Sequence, residues 1–373
     1  MAKFFIPVLA PTDEKRLTLA KSLIALGHEV GGGRFYGTNK GIADAVRAGN
    51  FDAVLLFGNS AVNMFTCYDG MPFILDVDVP YISLWDDSPL RYLHYIEGMR
   101  HARHKALFVI DTAVVEQLQV LGFSQAAYMP LFYTDPAVLK PVAVDGPFMP
   151  VSFAGNVQAA SAVRRARLSG AAFPLSFLHQ AVAERFVARR RAARDYVDVF
   201  THLEAEGVNP WSYEWAYLAN FLMSEQRAIE REELFAALDD VTVHHFGDWR
   251  DAEVPAHVVC HGAVKTAGLS GVYCGTEVNV SRCSQWPRAC HERLFQTAAS
   301  RAFLLHERKA DVEALFEPGR EVVMYGSLEE LADLVRFYRE RPKEREAIAA
   351  AAHRRFMSDH RPEVFARRVV DAL

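Results

Sequence analysis

The chain has 373 residues, 51% of them hydrophobic, with 41 lysines and arginines against 46 aspartates and glutamates, so there is apolar material for two or three cored domains. A formal charge of −5 excludes the broad basic surface that sequence-independent binding of nucleic acid requires. The opening apolar run is broken at Pro7 and Pro11, unlike a secretory leader, and no run reaches the ~20 residues of a membrane-spanning helix, so a cytoplasmic protein without a transmembrane segment is expected.

Over the first ~140 residues, short apolar runs alternate with helical patterns, as in repeated βα units on a parallel sheet. Strands are predicted at residues 4–9, 28–30, 53–57, 81–84 and 106–110. From Asp13 onward, Leu17, Leu19, Ala20, Leu23 and Ile24 recur at helical spacing, and the pattern stops at Gly27. Gly31-Gly32-Gly33 ends the second strand without the GxGxxG arrangement of a dinucleotide site and reads as a glycine-rich cleft loop. After the 81–84 strand comes Trp85-Asp86-Asp87-Ser88-Pro89, which puts two carboxylates at the strand's ligand-binding end. Of Asp86 and Asp87, one is expected to act as a base toward an acceptor hydroxyl or to orient it, and the other to cap the following helix.

Residues 137–150 shift to proline, glycine and valine, the composition of a linker, and a new strand at 151–154 ends in Gly155-Asn156. The expected division is a first domain over 1–145, a second over 146–356, and a C-terminal helix over 357–373 that packs back toward the first. Strand signals vanish between 159 and 238, where long helical patterns read as a helical elaboration of the second domain. The cluster Arg189-Arg190-Arg191 with Arg194 reads as a solvated helix face. Strands return at 241–246, 257–260, 277–280, 302–305 and 322–325. Ser327 and Glu330 then form a capping-box pattern, and Pro342 suits the first position of a helix.

Several residues in the second half have the chemistry of a site for a phosphorylated ligand. Gly155 and Asn156 stand where a backbone can approach a phosphate or sugar closely. His261-Gly262 also ends a strand, either meeting a base or ribose or forming a plain turn. After the 277–280 strand a polar loop leads to Pro287 and a predicted helix running to about Ser300, whose N-terminus would offer free N–H groups to a phosphate. Arg288, His291 and Glu292 are one turn apart on that helix and Arg293 follows, so a guanidinium there can face a diphosphate, with Lys265 as a further cation. The five cysteines (Cys67, Cys260, Cys274, Cys283, Cys290) lack CxxC spacing and are expected to be free thiols, with no metal ligand among them.

From His261 onward there is an ordered series: His261-Gly262, Tyr273, Val278-Asn279-Val280, Arg293-Leu294-Phe295, Phe303-Leu304-Leu305 and Leu315-Phe316-Glu317-Pro318-Gly319, closed by a helix pair at 328–345. This series resembles the C-terminal half of the CgeB-like glycosyltransferases, a bacterial branch of the GT-B superfamily. Trp85-Asp86-Asp87-Ser88-Pro89 and Met129-Pro130-Leu131 resemble the family more loosely, and the convincing likeness covers about a quarter of the chain. The resemblance implies an α/β, GT-B-like fold of two Rossmann-like domains facing a central cleft, with the helical elaboration in the second half. It implies a nucleotide-diphosphate sugar held by the second domain, with Gly155, Asn156, His261, Gly262, Lys265, Arg288, His291, Arg293 and Gln296 as donor-binding candidates. A glycan, protein or small-molecule acceptor would approach from the first domain, and transfer would use no metal and no cofactor beyond the nucleotide sugar. Two departures stand out. Many relatives carry a ribose-holding glutamate where this chain has Gln296, and the family's ACG segment reads Ala299-Ser300-Arg301 here. A catalytically inactive nucleotide-sugar or glycan binding protein of the same fold, serving surface assembly, is therefore the alternative.

Overall fold

A computed structural model describes residues 1–7, 14–32, 39–58, 67–68, 71–72, 77–96, 99–100, 102–130, 133–144, 149–160, 177–283 and 285–373. The predicted element ends at Val8, Leu9 and Asp13, together with Gly33, Leu131, linker residues 145–148 and residues 161–176 of the helical elaboration, lie outside the described residues. Two units divide the chain: Met1–Asp135 with Asp359–Leu373, and Pro136–Ser358.

The first unit contains strands β1 (Lys3–Ile6), β2 (Glu29–Gly32), β3 (Ala53–Phe57), β4 (Cys67–Tyr68), β5 (Met71–Pro72), β6 (Tyr81–Trp85), β7 (His104–Val109) and β8 (Ala126–Tyr128). β4 and β5 form a small antiparallel pair. The other six make a parallel sheet in the order β2-β1-β3-β6-β7-β8, so the winding reverses between β1 and β3. β3 and β6 are buried at every position, which is why they read as unbroken apolar runs rather than alternating ones. Phe4, Ile6, Leu55, Ile82 and Phe108 pack with Leu19 and Leu23 of helix Glu14–Ala25 and with Phe365, Ala366 and Val369 of helix Pro362–Asp371. Burial of Phe365 and Val369 contributes roughly 1.5–3 kcal/mol each, which anchors the last helix on the first sheet.

The second unit contains β9 (Met149–Ala154), β10 (Val157–Gln158), β11 (Val243–Phe246), β12 (Trp249–Arg250), β13 (Val258–Cys260), β14 (Thr276–Ser281), β15 (Leu304–Glu307) and β16 (Val323–Tyr325). Six of them form a second parallel sheet, ordered β13-β11-β9-β14-β15-β16, and β10 pairs with β12. The winding reverses between β9 and β14, and a ligand is expected beyond their carboxyl ends. Between β10 and β11 run helices Phe177–Ala193, Val199–Ala205 and Tyr213–Ala236. Leu234 and Phe235 of the third join Val151, Phe153, Val243, Val278 and Leu305 in the core. Among the described residues no helix is long and apolar enough to cross a membrane.

Two expectations are corrected. The arginine cluster is not simply a solvated face. Arg190 is fully buried and makes a bidentate pair with Glu233 at 3.1 and 2.8 Å, while Arg191 and Arg194 pair with Glu232 and Glu329. The helix after β14 spans Arg293–Ala299 rather than starting at Pro287. Backbone groups of the preceding loop bond elsewhere: the Arg288 carbonyl accepts from Asp311 N at 3.1 Å, and His291 N donates to His306 Nε2 at 3.3 Å. Further on, Ser327 Oγ accepts from Glu330 N at 3.1 Å to cap helix Leu328–Arg339, and Pro342 opens helix Pro342–Asp359.

Candidate functional site

At the reversal of the second sheet, a cavity of about 430 Å³ opens beyond the ends of β9, β11 and β14. Its floor is a set of close backbone approaches. Gly155 N donates to Phe246 O at 2.8 Å, and Gly247 N donates to Gly262 O at 2.9 Å. A Cβ on Gly155, whose φ is +156°, would overlap Arg293 Nη2, and one on Gly247, φ +153°, would lie 2.5 Å from Gly155 O. Only glycine fits either position. The Asn156 side chain accepts from Asp248 N at 3.0 Å, tying the loop after β9 to the loop after β11.

Arg293, the first residue of its helix, is buried. Its Nε donates to Ala154 O, its Nη1 to Ser281 Oγ at 3.4 Å, and its guanidinium lies 4.6 Å from the centre of the Phe153 ring. These partners are neutral, and among the described residues no carboxylate forms an ion pair with Arg293. The Arg231 guanidinium, also buried, stands 4.5 Å from the same ring; its Nη1 donates to the Glu230 carboxylate and to Arg282 O. Burial and the nearby Arg231 charge push the Arg293 pKa from 12.5 down to about 10. Two buried cations thus share one aromatic ring and line one cavity, together with Arg227, Arg250 and a single carboxylate, Glu292. Buried charge is tolerated when it is paired; Arg231 has Glu230 whereas Arg293 has only neutral partners, so the lining is complementary to an anion beside Arg293.

Helix Tyr213–Ala236 supplies Ser224, Arg227, Ala228 and Arg231 to the cavity wall. Buried ion pairs fix it in place. Glu233 accepts from Arg282 at 3.2 Å as well as from Arg190, and Arg282 reaches Glu307 at 3.4 Å. Burial alone would raise the Glu307 pKa, but Lys309 and Arg282 hold it below its ordinary value. Removing one member of such a set leaves an unpaired buried charge, which typically costs about 3–5 kcal/mol.

Gln296 is buried, its Oε1 accepts from the Tyr273 hydroxyl at 2.7 Å, and both residues line the cavity. His291 also lines the cavity; its Nδ1 accepts from Arg293 N at 3.3 Å and its carbonyl from Leu294 N at 3.0 Å. The first two N–H groups of this seven-residue helix are therefore already bonded, and the expectation of a phosphate at its N-terminus is corrected accordingly.

Of the donor-binding candidates, Gly155, Asn156, His291, Arg293 and Gln296 line the cavity, whereas His261, Gly262, Lys265 and Arg288 do not. Gly262 supports Gly247 through its carbonyl. The His261 ring stacks on Phe246 at 4.5 Å and meets His244 Nδ1 at 2.8 Å. Lys265 begins helix Thr266–Cys274. Asp86 and Asp87 lie in the first unit. The Lys15 ammonium donates to Asp86, and a Cβ on Gly58 would come 3.0 Å from Asp86 Oδ1, so this carboxylate sits among the segments following β1, β3 and β6. Asp87 pairs with Arg91 on its own turn, while Ser88 occupies the cap position of the short helix Pro89–Tyr92 without a side-chain bond. Among the described residues no group of three or more His, Cys, Asp or Glu side chains converges as metal ligands.

Sequence reasoning missed Arg227 and Arg231. A signal existed: Ser224, Arg227 and Arg231 fall at i, i+3 and i+7, a polar stripe along one face of a largely buried helix.

Residues 227–371 match the protein family described as glycosyl transferase-like, a range that includes Arg231, Gly247, Arg293 and Gln296. A sequence search of curated proteins finds no match. The chain is similar in structure to Anabaena Alr3699/HepE in complex with UDP-glucose, at 10% identity and a TM-score of 0.56 over 100% of both chains. It is also similar to sucrose-phosphate synthase from Thermosynechococcus elongatus, at 10% identity and a TM-score of 0.54 over 100% of this chain and 98% of that one. A third similar structure is AviGT4, a glycosyltransferase involved in avilamycin A biosynthesis, at 13% identity and a TM-score of 0.51 over 100% and 96%. The fold is accordingly the α/β architecture of GT-B glycosyltransferases, with two parallel-sheet, Rossmann-like units.

Proposed function

We propose that the chain is a glycosyltransferase of the CgeB-like branch, which takes a sugar from a nucleotide-diphosphate donor bound in the second unit and passes it to a glycan, protein or small-molecule acceptor. One observation carries this reading: Arg231 and Arg293 are buried over a single phenylalanine ring at the reversal of a parallel sheet, and both line the same cavity. A diphosphate brings at least two negative charges to that point and relieves the repulsion between the guanidiniums. As the sugar leaves, charge builds on the diphosphate, and prepositioned arginines stabilise it without a metal and without reorganising. Gln296, held by Tyr273, offers its amide to donor hydroxyls in place of the glutamate of the relatives. Lys265 and Arg288 are left out of the donor contacts, and Gly262 is assigned a supporting role behind Gly247.

On the acceptor side, Asp86 is assigned to the acceptor hydroxyl, because it lies where the segments after β1, β3 and β6 converge. Asp87 is assigned to holding its own turn through Arg91. The UDP-glucose bound by Alr3699/HepE makes UDP-sugars the first donors to try. The test is to incubate the full-length protein with UDP-, GDP- and TDP-sugars and follow release of nucleoside diphosphate by chromatography. Slow hydrolysis of one donor without acceptor, abolished in Arg293→Met, supports an enzyme. Binding of a donor without any consumption, with or without candidate acceptors, supports instead the binding protein to which Gln296 points. Absence of both binding and turnover across the panel contradicts the reading.

A further inference from the structure

Behind the cavity floor lies a histidine that reaches no solvent. His245, next to last in β11, is fully buried, packed edge-on against Phe235 and Trp249 with its ring parallel to that of Phe153. Its Nε2 is 2.7 Å from Gly155 O. A carbonyl only accepts, so Nε2 carries the hydrogen and donates it. Nδ1 is then a buried acceptor, and among the described residues it has no hydrogen-bond partner. Burial keeps the imidazole pKa below its ordinary value, so the ring is neutral. A polar ring with one unsatisfied nitrogen is a costly occupant for a site walled by Phe153, Phe235 and Trp249. What it contributes is the bond to Gly155.

That bond sets the direction of one peptide group. The Gly155 carbonyl and the Asn156 N–H belong to the same trans peptide and point in opposite directions. With the carbonyl turned to His245, the Asn156 N–H is turned away from that ring, and Gly155 and Asn156 both line the cavity beside Arg293. This N–H has no partner among the described residues. The flanking groups are held as well, Gly155 N–H by Phe246 O, Val157 N–H by Asp248 O and the Asn156 side chain by Asp248 N, but only the bond from His245 grips the Gly155–Asn156 peptide itself.

Building on the donor-site reading above, we propose that His245 is a positioning residue for the donor, which locks the Gly155–Asn156 peptide so that its N–H meets the diphosphate. Without the imidazole the buried carbonyl loses its donor, and the peptide can turn its oxygen toward the phosphates, exchanging an attraction for a repulsion. Glutamine can place its amide nitrogen where imidazole Nε2 stands, whereas asparagine is one bond too short and reaches only the Nδ1 position.

The test uses the full-length wild type with His245→Gln and His245→Asn, titrated by calorimetry with UDP and GDP and with uridine and guanosine. For the diphosphate that the wild type binds, H245N should lose about tenfold or more, the value of one hydrogen bond to a charged group. H245Q should stay within about threefold of the wild type, and affinity for the parent nucleoside should not change in either variant. If H245N folds poorly, His245→Met takes its place, since methionine fills the space but cannot donate. Wild-type affinity of the non-donating variant for the diphosphate overturns the proposal. So does an equal loss for diphosphate and nucleoside in both variants, which would mark a packing role only. A wild type that binds neither diphosphate removes the parent reading and this one together, whereas a binding wild type with an unaffected H245N removes this one alone.

Discussion

Replacing Arg293 by methionine separates function from stability. Methionine keeps much of the side chain's reach and its contact with the Phe153 ring but removes the charge. On the stability side, burial and Arg231 press the guanidinium pKa from 12.5 to about 10. At 1.36 kcal/mol per unit this is a penalty on the order of 3 kcal/mol against the charged form, which the variant no longer carries. Against that, the variant loses the donations to Ala154 O and Ser281 Oγ, worth about 0.5–1.5 kcal/mol each. These opposing terms nearly cancel, so the melting temperature should move by no more than a few degrees, at about 2–4 °C per kcal/mol for a unit of this size. Binding should behave differently. A hydrogen bond between charged partners is worth about 1.5–3 kcal/mol, so affinity for a nucleoside diphosphate should fall roughly 10- to 150-fold. Scanning fluorimetry reads the first effect and titration calorimetry the second. A melting temperature lowered by about ten degrees with affinity unchanged would refute the reasoning, because Arg293 would then be a packing cation and not a ligand for phosphate.

Three further outcomes are expected. Arg301 is an exposed residue that ends helix Arg293–Ala299 in the left-handed region at φ 56°, so Arg301→Gly should raise stability by about 0.5–1 kcal/mol, seen as a higher urea midpoint at constant slope; a lower midpoint would contradict this. His306 is buried and neutral, its pKa pushed by burial from 6.5 to about 4, so an unfolded chain takes up a proton that the folded one refuses as the pH falls through that window. The associated stability, on the order of 3 kcal/mol, is present above pH 6.5 and lost on acidification toward pH 4, and urea unfolding of His306→Asn should show a flatter pH dependence there than the wild type, with an unchanged dependence counting against the assignment. Gly247→Ala forces a Cβ to 2.5 Å from Gly155 O at a φ of +153°, so it should cost about 2 kcal/mol or more and weaken nucleotide binding with it, and a variant with wild-type melting and affinity would show that the floor can yield.

The central strands of both sheets were legible because burial on both faces turns them into apolar runs, as at Ala53–Phe57 and Tyr81–Trp85. Ala126–Tyr128, Val157–Gln158 and Trp249–Arg250 were not, since two or three residues show no periodicity and their pairing depends on partners distant in the chain. The segment before Arg293 has a helix former's composition, yet its backbone groups are taken by His306 and Asp311, a competition that only the tertiary structure reveals. Gly155, Asn156 and Arg293 were visible as strand-end and loop residues of suitable chemistry. Arg231 was hidden by its helix: the i, i+4 pair with Arg227 was readable, but its placement over Phe153 arises from the inserted helices folding back across β9. Arg190 misled for the same reason, since a run of arginines reads as solvent-facing until Glu233 is found beneath it.

The central claim is that the second unit's cavity recognises a diphosphate through Arg231 and Arg293. Its most direct measurement is calorimetric titration of the full-length protein with UDP or GDP, the matching monophosphate and the nucleoside, repeated with Arg231→Met and Arg293→Met. The account predicts that the diphosphate binds roughly tenfold or more tighter than the monophosphate and that either substitution erases most of this advantage while leaving the nucleoside's affinity alone. Equal affinities for all three ligands, or an advantage that survives both substitutions, would contradict it.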